Sequence, residues 1–113
     1  MQVNVKAKVT VVGAMAATLI SVAAFAQEAP QDFSPEQIKA GAELYQINCS
    51  PCHGSRMLDP QGAYNLRNFP RDQRERFGNS IVRGRNQMPP WGDFFRPDQI
   101  DQLWAYVSQG ERN

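Results

Sequence analysis

Positions 49–53 read Cys-Ser-Pro-Cys-His, and these five residues hold both cysteines and the single histidine of a 113-residue chain. Two thiols about one helical turn apart, followed at once by an imidazole, must be presented by the fold to one common group. A disulfide between them would close a very short loop and constrain the unfolded chain little. A zinc site wants four nitrogen or sulfur ligands, and only three such donors exist here. A thioredoxin-like redox pair needs a strand leading into it within a βαβ unit, and no alternating strand pattern occurs anywhere in the chain.

The spacing C-x-x-C-H is the attachment signature of haem c. Cys49 and Cys52 would add to the porphyrin vinyl groups, and His53 would take the proximal side of the iron. The sixth iron position then needs a ligand from elsewhere, and there is no second histidine. Met57 lies four residues beyond His53, too near to cross to the opposite face. Met88 comes 35 residues later in "NQMPPWG", where Pro89 and Pro90 stiffen the backbone around it, and it is the expected distal ligand. Two other readings stay open. If Met88 does not ligate, the open iron face binds small ligands. If no haem is attached, Cys49 and Cys52 cycle as a thiol–disulfide oxidoreductase.

The amino terminus fits an exported protein. Lys6 and Lys8 precede an apolar, small-residue run that ends in "AFAQ", the pattern of a signal peptide cleaved after Ala26. An uncleaved membrane anchor is the alternative for this run. Cleavage leaves 87 residues, with ten basic against eleven acidic side chains and a formal charge of −1. That size suits one domain needing a staple or cofactor to reinforce its core, and that charge gives no sign of a nucleic-acid partner. The expected layout is a signal peptide over 1–26, a flexible leader over 27–33 and a domain over 34–113.

Helical periodicity dominates the domain, which is expected to be all-α. Ser34, Pro35 and Gln37 form a capping box ahead of a helix over "PEQIKAGAELYQIN", with Phe33 and Ile38 as a hydrophobic staple. Gly41 leaves a notch on nearly the same face as Tyr45, where another backbone can approach. Residues 54–70 read as a loop. An Asp72/Glu75 capping pattern opens a short middle helix that Gly84 closes, and a last helix runs from Pro97 to Gly110 through Ile100, Leu103, Trp104 and Val107. Its cap position, Arg96, is a poor one. Six of the nine arginines, Arg67, Arg71, Arg74, Arg76, Arg83 and Arg85, fall in residues 67–85. They read as a solvated face, with one or two available to haem propionates.

Taken in order, "AGAELYQINCSPCHG", "GRNQMPPWG" and "PDQIDQLWAYV" resemble class I cytochromes c of bacterial type, over nearly all of the chain after residue 26. The resemblance implies the cytochrome c fold, three to four short helices around one covalently bound haem. It implies a soluble periplasmic one-electron carrier with His53/Met88 ligation rather than an enzyme. It also implies that Gly41 and Tyr45 cross Leu103 and Tyr106, and that a proline carbonyl accepts a hydrogen bond from the ligating histidine, for which Pro60 is the candidate. "NLRNFP", the middle helix and "MPPWGDFFRPDQIDQLWAYV" are similar to small cytochromes serving periplasmic quinoprotein alcohol dehydrogenases. Such a dehydrogenase is then the expected donor, and a terminal oxidase or another cytochrome the acceptor. No stable membrane association is expected. Trp91, Phe94 and Phe95 would supply an apolar contact surface, and Arg83 and Arg85 the steering charge.

Overall fold

The computed structural model describes residues 2, 8, 10–14 and 31–111. The expected signal peptide, but for residues 2, 8 and 10–14, and residues 27–30 of the leader lie outside the described residues. Among the described residues no helix is long and apolar enough to cross a membrane.

The first helix, α1 (Pro35–Asn48), starts where local chemistry puts it. Ser34 Oγ accepts the Gln37 amide at 3.2 Å, and Gln37 Oε1 accepts the Ser34 amide at 3.0 Å, so two of the unpaired donors at the helix start are satisfied reciprocally. It stops where Pro51 lacks the N–H that would bond back to Ile47, and where the proline ring would clash with that carbonyl. Ser50 Oγ caps the break by donating to the Gln46 carbonyl at 2.6 Å. A single-turn helix, α2 (Ser50–His53), follows directly.

The stretch from 54 to 73 is a loop with two short 3-10 turns, Ser55–Met57 and Leu66–Asn68. The third helix, α3 (Arg74–Arg83), begins later than the Asp72/Glu75 pattern suggests. Gln73 stands at the cap, its amide closing a turn onto the Pro70 carbonyl at 3.3 Å. Its side-chain oxygen is taken by Arg76 Nη1 at 2.6 Å rather than by the helix backbone. The last helix, α4 (Pro97–Gln109), starts on Arg96 despite that residue's inability to accept a hydrogen bond. Gln99 Oε1 accepts the Arg96 amide at 3.0 Å, which makes half of a capping box. Among the described residues there is no strand, only an isolated bridge between Arg85 and Met88.

The core forms where α1 and α4 cross. Gly41 permits the crossing: a Cβ built there would lie 1.8 Å from the Gln102 carbonyl oxygen and 2.9 Å from Tyr106 Cβ. The backbone partner is thus Gln102 rather than Leu103, which is itself fully buried beside it in sequence. Tyr45 and Tyr106 meet with ring centroids 5.1 Å apart. On the other side of α4, Trp104 meets Phe77 of α3 at 5.1 Å and Phe69 at 6.0 Å, aromatic pairs of the kind worth about 0.5–1.5 kcal/mol beyond their burial. Because α4 packs against both α1 and α3, residues Leu103 to Ser108 are buried without interruption, where periodicity alone marks one stripe. Gln31 and Phe33, at the end of the expected leader, are tied to α4 by Gln109, through 2.5 Å and 3.3 Å hydrogen bonds respectively.

Candidate haem attachment site

The site is built on the joint between α1 and α2. Cys49 donates its amide to the Tyr45 carbonyl at 2.8 Å, ending α1, and its own carbonyl accepts the His53 amide at 2.9 Å, opening α2. One residue therefore belongs to both helices, and Cys49, Cys52 and His53 come together on a single turn. No disulfide joins the two cysteines; Cys52 is exposed and Cys49 is half-buried against the core. Burial, with the neighbouring Cys52 adding to it, pushes the Cys49 thiol up to about 12. Among the described residues no cluster of three or more histidine, cysteine or acidic side chains forms a metal site.

His53 is oriented by the loop. Its Nδ1 lies 2.9 Å from the Tyr64 carbonyl oxygen. A carbonyl can only accept, so Nδ1 carries the proton and Nε2 keeps its lone pair for a metal. Pro60, a possible acceptor from the sequence, is not the partner; its carbonyl accepts the Gly62 amide at 2.8 Å within a tight turn. Nothing in the local sequence singles out Tyr64, whose main chain does the work. Gly54 makes the turn after His53 feasible. Its φ is +85°, a Cβ would sit 1.6 Å from the Leu58 carbonyl oxygen, and its own carbonyl accepts the Tyr45 hydroxyl at 2.7 Å.

Met88 stands on a separate loop. Arg85 and Met88 exchange backbone hydrogen bonds of 3.0 and 2.9 Å, around a turn in which Asn86 takes φ +54°. Beyond the two prolines, Trp91 donates to the Ile81 carbonyl at 2.7 Å and Gly92 to that of Val82 at 3.2 Å. These bonds pin the loop to the end of α3. The Met88 side chain is half-buried and packs against the same core as Cys49, but no hydrogen bond or ion pair among the described residues joins its loop to the Cys49–His53 turn. Met57, by contrast, is buried as core. A groove of about 890 Å³ along the polar face of α3, from Asp72 to Arg85, includes none of these four site residues.

The arginines divide. Arg67 binds the Arg56 carbonyl, Arg74 pairs with Asp101, and Arg76 lies 5.3 Å from the centre of the Phe69 ring. Within the described residues the guanidinium groups of Arg71, Arg83 and Arg85 make no ion pair or hydrogen bond.

The donor set fits haem c: two thiols on one turn for thioether bonds, an imidazole in the tautomer that offers Nε2, and a thioether sulfur on a stiff loop. The family model described as cytochrome c oxidase, cbb3-type, subunit III matches residues 36–107. The chain is 32% identical over 85 residues to the quinohemoprotein alcohol dehydrogenase ADH IIB of Pseudomonas putida, covering 73% of this chain and 12% of that protein. It is 32% identical over 84 residues to the cbb3-type cytochrome c oxidase subunit FixP of Sinorhizobium medicae (strain WSM419), covering 62% of this chain and 29% of that protein. The solved structure of the quinohemoprotein alcohol dehydrogenase ADHIIG from Pseudomonas putida HK5 superposes with a TM-score of 0.61 at 32% identity, over 73% of this chain and 13% of that one. The chain thus spans less than a third of the length of each of these relatives.

Proposed function

Since the chain belongs to the cytochrome c family and carries that family's covalently bound haem c, we propose that it is a periplasmic one-electron carrier whose haem is held by Cys49, Cys52, His53 and Met88. Residues 1–26 export it, and residues 34–113 form the cytochrome c domain. Bound haem c supplies an iron that alternates between Fe(II) and Fe(III). The chain's own residues do the rest. Cys49 and Cys52 tether the macrocycle by thioether bonds, and His53 offers Nε2 while Nδ1–H stays on the Tyr64 carbonyl. Met88 offers a weak sulfur donor that favours the reduced, less charged iron. Were His53 and Met88 both to hold the iron, no position on it would be left for a substrate, and the role would be transfer rather than catalysis.

The observation that carries this reading is the 2.9 Å contact from His53 Nδ1 to the Tyr64 carbonyl, which sets the imidazole in the form a ligand needs. The relatives support a quinoprotein alcohol dehydrogenase as donor, and a terminal oxidase or another cytochrome as acceptor. Near the Met88 loop, Phe94 is 63% and Val82 42% exposed, with Trp91 edge-on to Phe94 at 5.4 Å. With the unpaired Arg83 and Arg85 close in sequence, they suit a brief encounter steered by an acidic partner. Production with haem-maturation machinery tests the attachment. After denaturation the exported protein has the mass of a chain beginning at Gln27 plus one haem, and a Cys49→Ala/Cys52→Ala variant loses the haem. A haem-free mass for the parent protein contradicts the proposal.

A further inference from the structure

Three segments distant in sequence are knotted together beside His53. Arg67 places Nη2 2.9 Å and Nε 3.2 Å from the carbonyl oxygen of Arg56, in the turn immediately after the Cys-x-x-Cys-His motif. The same Nη2 lies 3.8 Å from Glu111 Oε2, and the Arg67 side chain is only 21% exposed. Glu111, just beyond the end of α4, accepts Arg56 Nη2 at 2.9 Å and the Tyr106 hydroxyl at 2.9 Å. Arg67 also sits on the 3-10 turn that directly follows Tyr64. Its amide donates to Asn65 Oδ1 at 3.1 Å, and the Tyr64 hydroxyl closes that turn onto the Asn68 carbonyl at 3.3 Å.

The turn that carries the Tyr64 carbonyl, the acceptor of the His53 N–H, is thus tied through the Arg67 guanidinium to the motif turn by hydrogen bonds and to Glu111, just past α4, by a 3.8 Å ion pair. A fork of this kind suits arginine, because its donors reach the carbonyl and the carboxylate together, whereas a lysine ammonium is a point charge on a flexible stem. We infer that Arg67 is a positioning residue: by clamping the Tyr64 turn to the Arg56 carbonyl and Glu111, it holds the Tyr64 carbonyl on His53 Nδ1 and so sets how strongly the His53 ring donates to iron. The inference rests on His53 ligation. A histidine whose N–H is firmly accepted is the more basic ligand and favours the oxidised metal. Loosening the clamp weakens that donation and moves the reduction potential upward.

The sign separates positioning from charge. Removing a cation near the haem destabilises the electron-rich, reduced state and lowers the potential, whereas loss of the clamp raises it. The experiment uses the haem-loaded full chain as parent protein, Arg67→Leu, Arg67→Lys and, as a control of equal charge loss, Arg83→Leu. Reduction potentials are read together with the solvent exchange of the hyperfine-shifted His53 Nδ1–H proton by NMR. Arg67→Leu raises the potential and speeds that exchange, and Arg67→Lys does the same to a smaller extent with no change of charge. Arg83→Leu lowers the potential or leaves it, with exchange unaltered. If Arg67→Leu fails to fold, Arg67→Lys carries the test alone. An unmoved or lowered potential with unaltered exchange in the Arg67 variants overturns this inference while the ligand reading stands. Absence of hyperfine-shifted His53 signals from the parent protein overturns both.

Discussion

Replacing Gly41 by alanine tests the crossing on which the whole domain is built. The added Cβ would stand 1.8 Å from the Gln102 carbonyl oxygen, 2.6 Å from its carbon and 2.9 Å from Tyr106 Cβ. A carbon needs about 3.3 Å from a carbonyl oxygen, so α1 and α4 must part by about 1.5 Å at this point. The nearest atoms are main chain, with no rotamer to give way. Overpacking commonly costs about 1–3 kcal/mol, and this geometry puts Gly41→Ala at the upper end, near 3 kcal/mol. For a domain of this size that corresponds to a fall in Tm of about 12–24 °C. Gly78, inside α3, is the control, because a Cβ there meets only Ile100 Cγ2 at 3.9 Å. Gly78→Ala should stabilise by about 0.5–1 kcal/mol through helix propensity alone. Thermal unfolding of the haem-loaded variants, followed by circular dichroism, gives both values. Equal melting temperatures for Gly41→Ala and the parent protein, or the same sign for the two substitutions, would refute the reasoning.

Tyr45 and Tyr106 are both held protonated, mainly by burial; Tyr45 is pushed up to about 12 and Tyr106 is raised well above its usual value of 10. The stability they add is complete below pH 10 and is lost as pH rises through their folded values. A Tyr64→Phe variant, which keeps only these two tyrosines, should therefore show no tyrosinate absorbance until the pH is well past 10, and early ionisation in a still-folded protein would count against their burial. Reduction by a quinoprotein alcohol dehydrogenase should slow as salt is added, and slow further in Arg83→Gln/Arg85→Gln at unchanged potential. If neither treatment alters the rate and another periplasmic donor is faster, this partner is wrong.

What could be read from the sequence was local. Ser34, Pro35 and Gln37 lie within one turn and interact only with each other, so the start of α1 followed from them directly, and Pro51 ended it by its own covalent structure. The Cys49–His53 motif is likewise five consecutive residues. Gly41 offered a notch, and the resemblance named Tyr106 opposite it, but a helix register is needed to see that Gln102 supplies the backbone. Tyr64 could not be found at all, because a main-chain carbonyl carries no side-chain signature. Arg56 and Glu111 are 55 positions apart, and Gln109 and Gln31 are 78 apart; such pairs exist only once α4 has packed on α1. The start of α3 shifted for a similar reason, since Gln73 closes a turn onto Pro70 and Asp72 is left outside the helix.

In the proposed carrier, His53 from the motif turn and Met88 from its own loop would hold one iron between them and leave it no open position. The visible spectrum of the oxidised, haem-loaded protein tests it most directly, read with and without Met88. A weak sulfur-to-iron charge-transfer band should be present in the parent protein and in Met57→Ala, and absent from Met88→Ala, whose iron should bind added cyanide readily. A parent spectrum of an open, five-coordinate iron, or a band that survives in Met88→Ala and vanishes in Met57→Ala, would contradict the account.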